Sequence, residues 1–132
     1  MLATPALAAG ITVSHAALRV IAPGVPAAGY FDLRNDTAKP VVLIGARSPM
    51  CGAMMLHLSS SEGGMMRMTT VSELPVLPGA GVSFRPGSYH LMCEHPAPLL
   101  FDVHRETITL EFKSGAARDV TFTLVDAKGA PR

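Results

Sequence analysis

Proline and glycine interrupt this chain so often that long helices are not expected to form its framework. The 132 residues include 11 prolines and 12 glycines, spread along the whole length. Both residue types break regular structure and favour turns. Between them, no segment carries apolar residues at a sustained helical spacing. The sequence therefore predicts short elements joined by frequent turns.

The segments between these turns have the composition of strands. Residues 29–35 alternate Phe31 and Leu33 with larger polar side chains, which is typical of a half-buried strand. Clean alternation at 107–113 and 119–125 predicts a C-terminal hairpin. Further strands are predicted at 11–20, 40–46, 54–59, 65–70, 82–85 and 89–93. Many short strands at such spacing favour an all-β sandwich or barrel, and the length favours one domain.

Composition and spacing argue against several classes of protein. The formal net charge is +1 and basic residues are scattered singly, so no nucleic-acid or polybasic membrane surface is expected. No run of 18 apolar residues could span a membrane. The chain shows no phosphate-binding loop and no nucleophile paired with a base. We therefore do not expect an enzyme.

The N-terminus has a secretory character. Residues 1–9 include Ala6-Leu7-Ala8, a pattern of the type that signal peptidase cleaves. We interpret this segment as the remnant of a secretory signal, the alternative being a disordered Ala-rich terminus. The folded domain is then expected at 10–126, followed by a short tail at 127–132.

Four residues form the strongest functional pattern: His57, Met68, His90 and Met92. Seven of the eight methionines fall between residues 50 and 92, although tryptophan is absent. Thioether sulfur is a soft ligand and imidazole a borderline one, and such a set favours Cu(I) over hard cations. Imidazoles bind metals only when neutral, so affinity is expected to fall below a pH of about 6.5.

Strand geometry makes these four side chains plausible neighbours. His90 and Met92 are two residues apart and share one face of a strand. A turn centred between Glu62 and Gly63 would place His57 directly opposite Met68, at a Cβ separation of about 5 Å. Met66 shares the face of Met68 and is the best substitute ligand.

The remaining methionines and histidines are expected to have ordinary roles. A flexible thioether chain often fills gaps in a core. We expect core or rim packing for Met50, Met54, Met55 and Met65, and also for Met66 where it does not replace a ligand. We expect surface or hydrogen-bonded positions for the histidines outside the pattern, which are His15, His95 and His104.

The pattern resembles that of the PCuAC-type periplasmic copper chaperones. In that family His, ten residues, Met, twenty-one residues and His-x-Met follow one another, and His57, Met68, His90 and Met92 match every position. Other similar stretches are Gly63-Gly64-Met65-Met66-Arg67-Met68, Leu77-Pro78-Gly79 and Arg85-Pro86-Gly87-Ser88-Tyr89-His90-Leu91-Met92. The likeness extends over residues 11–125.

This resemblance implies a fold, a cargo and a location. It implies a cupredoxin-like β-sandwich of Greek-key type that binds Cu(I) in the periplasm. It also implies a copper-donor protein and an acceptor, either the CuA centre in subunit II of cytochrome c oxidase or another cuproprotein. The C-terminal segment 126–132 contains no His or Met, so a single copper site is expected.

Two cysteines enclose all four candidate ligands in sequence. Cys93 follows Met92 directly, so on a regular strand it points to the opposite face. In a secreted domain Cys51 and Cys93 would form a disulfide. Free buried thiols and auxiliary copper ligands are the alternatives.

Two other functions compete with the copper carrier. A Met-rich β-sandwich could serve as a protein-interaction module, because Met-rich surfaces suit adaptable recognition. A blue-copper electron carrier would need a Cys thiolate, two His and a weak axial Met. Cys93 and His95 lie close in sequence, but no Met follows them at a suitable spacing.

Overall fold

A computed structural model describes residues 10–132, so the predicted signal remnant at 1–9 lies outside the described residues. The described residues form ten strands and one short 3-10 helix, Pro98–Asp102. The strands are β1 Ile11–Arg19, β2 Ala27–Asn35, β3 Val41–Arg47, β4 Cys51–Glu62, β5 Met65–Val71, β6 Leu74–Val76, β7 Gly81–Phe84, β8 Tyr89–Pro96, β9 Arg105–Phe112 and β10 Ala117–Val125. The predicted all-β class and the C-terminal hairpin β9–β10 are confirmed.

The strands join in the order β5-β4-β8-β7-β2-β1-β10-β9-β3-β6, with a further pairing of β8 to β2. Most neighbours are antiparallel, whereas β1–β10 and β7–β8 are parallel. The sheet bends back on itself, so that β3 also contacts β4 although six strands lie between them in the order. This arrangement is the predicted cupredoxin-like β-sandwich.

One apolar core fills the sandwich. Phe31 on β2 stacks on Phe84 at a centroid distance of 4.2 Å and meets Phe122 edge-on at 5.9 Å. Leu56 and Leu91, on β4 and β8, point into the same core and are almost fully buried. Because successive side chains on a strand alternate between faces, the residues flanking these leucines lie on the opposite face of the sheet.

The β4–β5 hairpin corrects one prediction. Its turn is Gly63-Gly64, and the ladder pairs His57 with Thr70 and Ser59 with Met68. The predicted pairing of His57 with Met68 is therefore wrong. Both turn glycines have positive φ, 58° and 80°, as a two-residue turn that matches strand twist requires. The turn centre therefore lies one residue later than predicted, and the paired positions shift with it.

The two cysteines form the predicted disulfide. Cys51 at the start of β4 is bonded to Cys93 on β8, with a Cα–Cα distance of 5.3 Å. Cys93 is fully buried in the core, on the face opposite His90 and Met92. The bond therefore fastens together the two strands that carry His57, His90 and Met92 without occupying their face.

No helix within residues 10–132 is long and apolar enough to cross a membrane.

Candidate metal centre

Three neighbouring strands, β5, β4 and β8, bring the four predicted ligands to one face of the sheet. His57 on β4 lies directly opposite His90 on β8. Met68 on β5 pairs with Ser59, which is two residues from His57 and shares its face. Met92 is two residues from His90 and also shares that face. The observed register places Met68 two ladder pairs away from His57, on the same face and diagonal to it.

The two imidazole rings are in contact at the centre of this face. Their centroids lie 5.4 Å apart and their planes are nearly perpendicular, at 89°. His57 Nδ1 and His90 Nε2 are both buried and have no hydrogen-bond partner in the described structure. Buried polar atoms are normally paired, because leaving one unpaired costs about 1–3 kcal/mol. Two such nitrogens on touching rings fit a site at which both imidazoles bind one metal ion.

A cleft of about 220 Å³ opens beside the imidazole pair. Met68, His90 and Met92 all line it, and Arg19 and Tyr30 lie in its wall. A larger depression of about 1010 Å³ lies around Lys39 and Lys113 and contains none of the four predicted ligands. Of these two depressions, the smaller one combines soft donors with an unpaired buried nitrogen, so we take it as the candidate site.

Burial favours the neutral form of His90. Loss of solvation is the largest cause that lowers the pKa of His90 from its ordinary 6.5, and the electrostatic effects of His57 and Arg19 act in the same direction. A weak contact of 3.4 Å joins its Nδ1 to the Ser88 carbonyl oxygen and opposes this change. A neutral imidazole with an unpaired Nε2 presents a lone pair to a metal ion.

Hard-metal and blue-copper chemistry are not supported. Within the described part of the chain no three His, Cys, Asp or Glu side chains are arranged to hold a metal ion. Beside His90, the sulfur donors that line the cleft are the thioethers of Met68 and Met92. Both cysteines are consumed by the disulfide, so neither supplies the thiolate that a blue-copper site requires.

Two further methionines share this face. Met55 pairs directly with Met92 across β4 and β8. Met66 lies two residues from Met68, and both are well exposed, at 69% and 62%. Sequence spacing predicted Met66 as a substitute ligand, and the structure puts it on the correct face but towards the hairpin tip. Met55 was predicted to pack in the core or at its rim, and it is half-buried.

Arg19 and Tyr30 are the cleft residues that sequence reasoning missed. They lie on β1 and β2, far from the His–Met motif in sequence, and the pairing of β2 with β8 brings them to the site. The histidines outside the pattern remain outside the site: His15 bonds Asp32, and His104 contacts the backbone carbonyl of Arg132.

Residues 11–124 match the family model described as "Putative lipoprotein LpqE-like". A curated relative, "Putative lipoprotein Lxx21020" of Leifsonia xyli subsp. xyli (strain CTCB07), is 26% identical over 122 residues. That alignment covers 92% of this chain and 73% of the relative.

Solved structures with the same fold are PCuAC domains, as the resemblance implied. The copper-bound PCuAC domain from PmoF2 superposes with a TM-score of 0.73 at 19% identity, covering 94% of this chain and 96% of that domain. Apo-DR1885 from Deinococcus radiodurans gives 0.68 at 24% identity, covering 98% and 91%. CuI-DR1885 from the same organism gives 0.62 at 25% identity, covering 90% and 84%.

Proposed function

This chain belongs to the LpqE-like lipoprotein family, and from that premise and the site geometry we propose that it is an extracytoplasmic Cu(I)-binding metallochaperone. The proposed ligands are His57, Met68, His90 and Met92. We further propose that the chain receives copper from a donor protein and passes it to an acceptor, the CuA centre in cytochrome c oxidase subunit II or another cuproprotein.

The unpaired imidazole nitrogens carry this proposal. His57 Nδ1 and His90 Nε2 are buried without partners on two rings in contact. Two thioether side chains, Met68 and Met92, line the cleft beside them. Sulfur and neutral nitrogen donors suit Cu(I), which tolerates low coordination and soft ligands. Thioethers do not titrate, so half of the donor set stays available at acid pH.

Two structural neighbours support copper as the cargo. The PmoF2 domain is described as copper-bound and DR1885 as a CuI form, and both share this fold. In this chain His57, Met68, His90 and Met92 have the spacing of the PCuAC motif, so these are the residues to which we transfer copper binding. Copper therefore fits both the donor chemistry and the fold.

The unequal exposure of the ligands suits transfer. His90 is 3% exposed, whereas Met68 is 62% exposed on the edge strand β5. A thioether at an open edge can be displaced by an incoming ligand while the buried imidazole still holds the ion. We propose that release begins at Met68 and ends at His90.

The proposed location outside the cytoplasm has two supports. The matching family and the curated relative are both described as lipoproteins. The disulfide between Cys51 and Cys93 is typical of an oxidising compartment.

Metal titration under reducing conditions tests the proposal. Competition with a chromophoric Cu(I) chelator should give one tightly bound ion per chain. The single variants His57→Ala and Met68→Ala should each weaken binding by at least about tenfold, because losing even a group that supports a ligand costs that much. His104→Ala is the matched control, since that ring contacts the Arg132 carbonyl away from the site. Unchanged affinity in both site variants would refute the ligand assignment.

A protein-interaction module is the second candidate. Met65, Met66 and Met68 are exposed on β5, which forms one edge of the sheet. Exposed methionines suit adaptable recognition. Thermal denaturation separates the two functions, because a ligand bound only by the native state raises the melting temperature. A melting temperature that does not respond to Cu(I) would favour the interaction module.

A further inference from the structure

Arg19 is held in the wall of the proposed copper cleft by two contacts to one aromatic residue. Its Nη2 donates a hydrogen bond of 3.1 Å to the Tyr30 hydroxyl, and its guanidinium lies 5.3 Å from the centre of the Tyr30 ring. The strand register explains the position: Arg19 pairs with Ala28, and Ala28 pairs with Met92. The charge is thus fixed on the same face as the proposed ligands.

No carboxylate neutralises this guanidinium among residues 10–132. The residues that line the cleft include neither Asp nor Glu, and Arg19 takes part in none of the four ion pairs of the described chain. Glu94 shares the face, two residues beyond Met92, but does not line the cleft. Because a guanidinium stays protonated at any physiological pH, the cleft carries a permanent positive charge.

We propose that Arg19 is a specificity-determining residue that makes the cleft favour Cu(I) over Cu(II). This inference rests on the proposed copper-binding function. The two imidazoles and two thioethers are neutral, so the bound ion contributes its full charge. Oxidation removes one electron and raises that charge from +1 to +2 beside the guanidinium. The added repulsion destabilises the oxidised ion more than the reduced one and keeps the cargo in the form that thioethers bind best.

The test compares the Cu(II)/Cu(I) potential of three variants with that of the native protein. Arg19→Gln removes the charge and retains a hydrogen-bond donor for Tyr30, whereas Arg19→Lys retains the charge but replaces the planar guanidinium with an ammonium group. Arg34→Gln is the matched control, since Arg34 pairs with Asp36 and does not line the cleft. Voltammetry gives the potential, and separate chelator competitions give the Cu(I) and Cu(II) dissociation constants.

Arg19→Gln should raise the affinity for Cu(II) relative to that for Cu(I) by about tenfold, as expected when one of two unit charges several ångströms apart near a protein surface is removed. That ratio corresponds to a fall in potential of about 59 mV for a one-electron couple. Arg19→Lys and Arg34→Gln should keep the native potential. If Arg19→Gln does not fold, Arg19→Met serves as the neutral variant. A native potential in the neutral variant, with Cu(I) still bound, would overturn the role of Arg19 and leave the chaperone function standing. Failure of the native protein to bind Cu(I) would overturn both.

Discussion

Removing the Cys51–Cys93 disulfide should destabilise the fold without dismantling the metal centre. The bonded residues are 42 positions apart. In the chain-entropy description a loop of that size contributes about 4 kcal/mol at 25 °C. Single domains are stable by only about 5–15 kcal/mol, so the loss is a large fraction of the total. For a chain of this length it corresponds to a fall in melting temperature of roughly 14 °C.

The site should survive because the ladder between β4 and β8 holds the ligands independently of the disulfide. That ladder runs from Cys51 to Leu58, and His57 and His90 pair near the end furthest from the disulfide. The cysteine-free protein, if it is still folded, should bind one Cu(I) as before.

Urea unfolding followed by circular dichroism measures the effect on oxidised protein, reduced protein and the Cys51→Ala/Cys93→Ala variant. The reduced protein keeps both sulfur atoms, so its difference from the double variant isolates the packing lost at the buried Cys93 side chain. Reductant added to the double variant is the control and should change nothing. A difference below about 1 kcal/mol between oxidised and reduced protein would refute the loop-entropy reasoning.

Three further predictions concern the site and its hairpin. Met68→Ala should weaken Cu(I) binding at least about tenfold. Met66 is similarly exposed on the same strand, and Met66→Ala should leave the Cu(I) dissociation constant within about twofold of the native value. Equal losses of affinity in chelator competition would contradict the choice of Met68 as the ligand. In the copper-free protein the pKa of His90 lies below 6.5, so as the pH falls the unfolded chain binds this proton before the folded protein does. The free energy of unfolding should therefore decrease as the pH falls from 6.5. A titration midpoint for His90 at or above 6.5, measured by NMR, would contradict this. Gly64→Ala places a side chain on a residue with a φ of 80° and should lower the free energy of unfolding by about 1–2 kcal/mol. Denaturant unfolding would detect this loss. An unchanged denaturation midpoint would show that the turn adjusts without cost.

Local chemistry made much of this structure predictable. The segments that alternate apolar and polar residues became strands, as at 29–35, where β2 runs from Ala27 to Asn35. The same period of two predicted that His90 and Met92 share a face and that Cys93 points away into the core. The short strand β6, Leu74–Val76, escaped prediction because three residues are too few to show alternation.

The sequence alone determined which donor groups the candidate motif contains: the imidazoles of His57 and His90 and the thioethers of Met68 and Met92. It also determined that these groups lie on strands, because residue type and alternation act locally. Only the tertiary structure decided that His57 lies opposite His90 and that Met68 lies diagonal to His57. It also decided that Arg19 and Tyr30 border the cleft. The Gly63-Gly64 turn set the position of Met68. The pairing of β8 with β4 and with β2 set the other two, and these pairings depend on contacts between residues far apart in the chain.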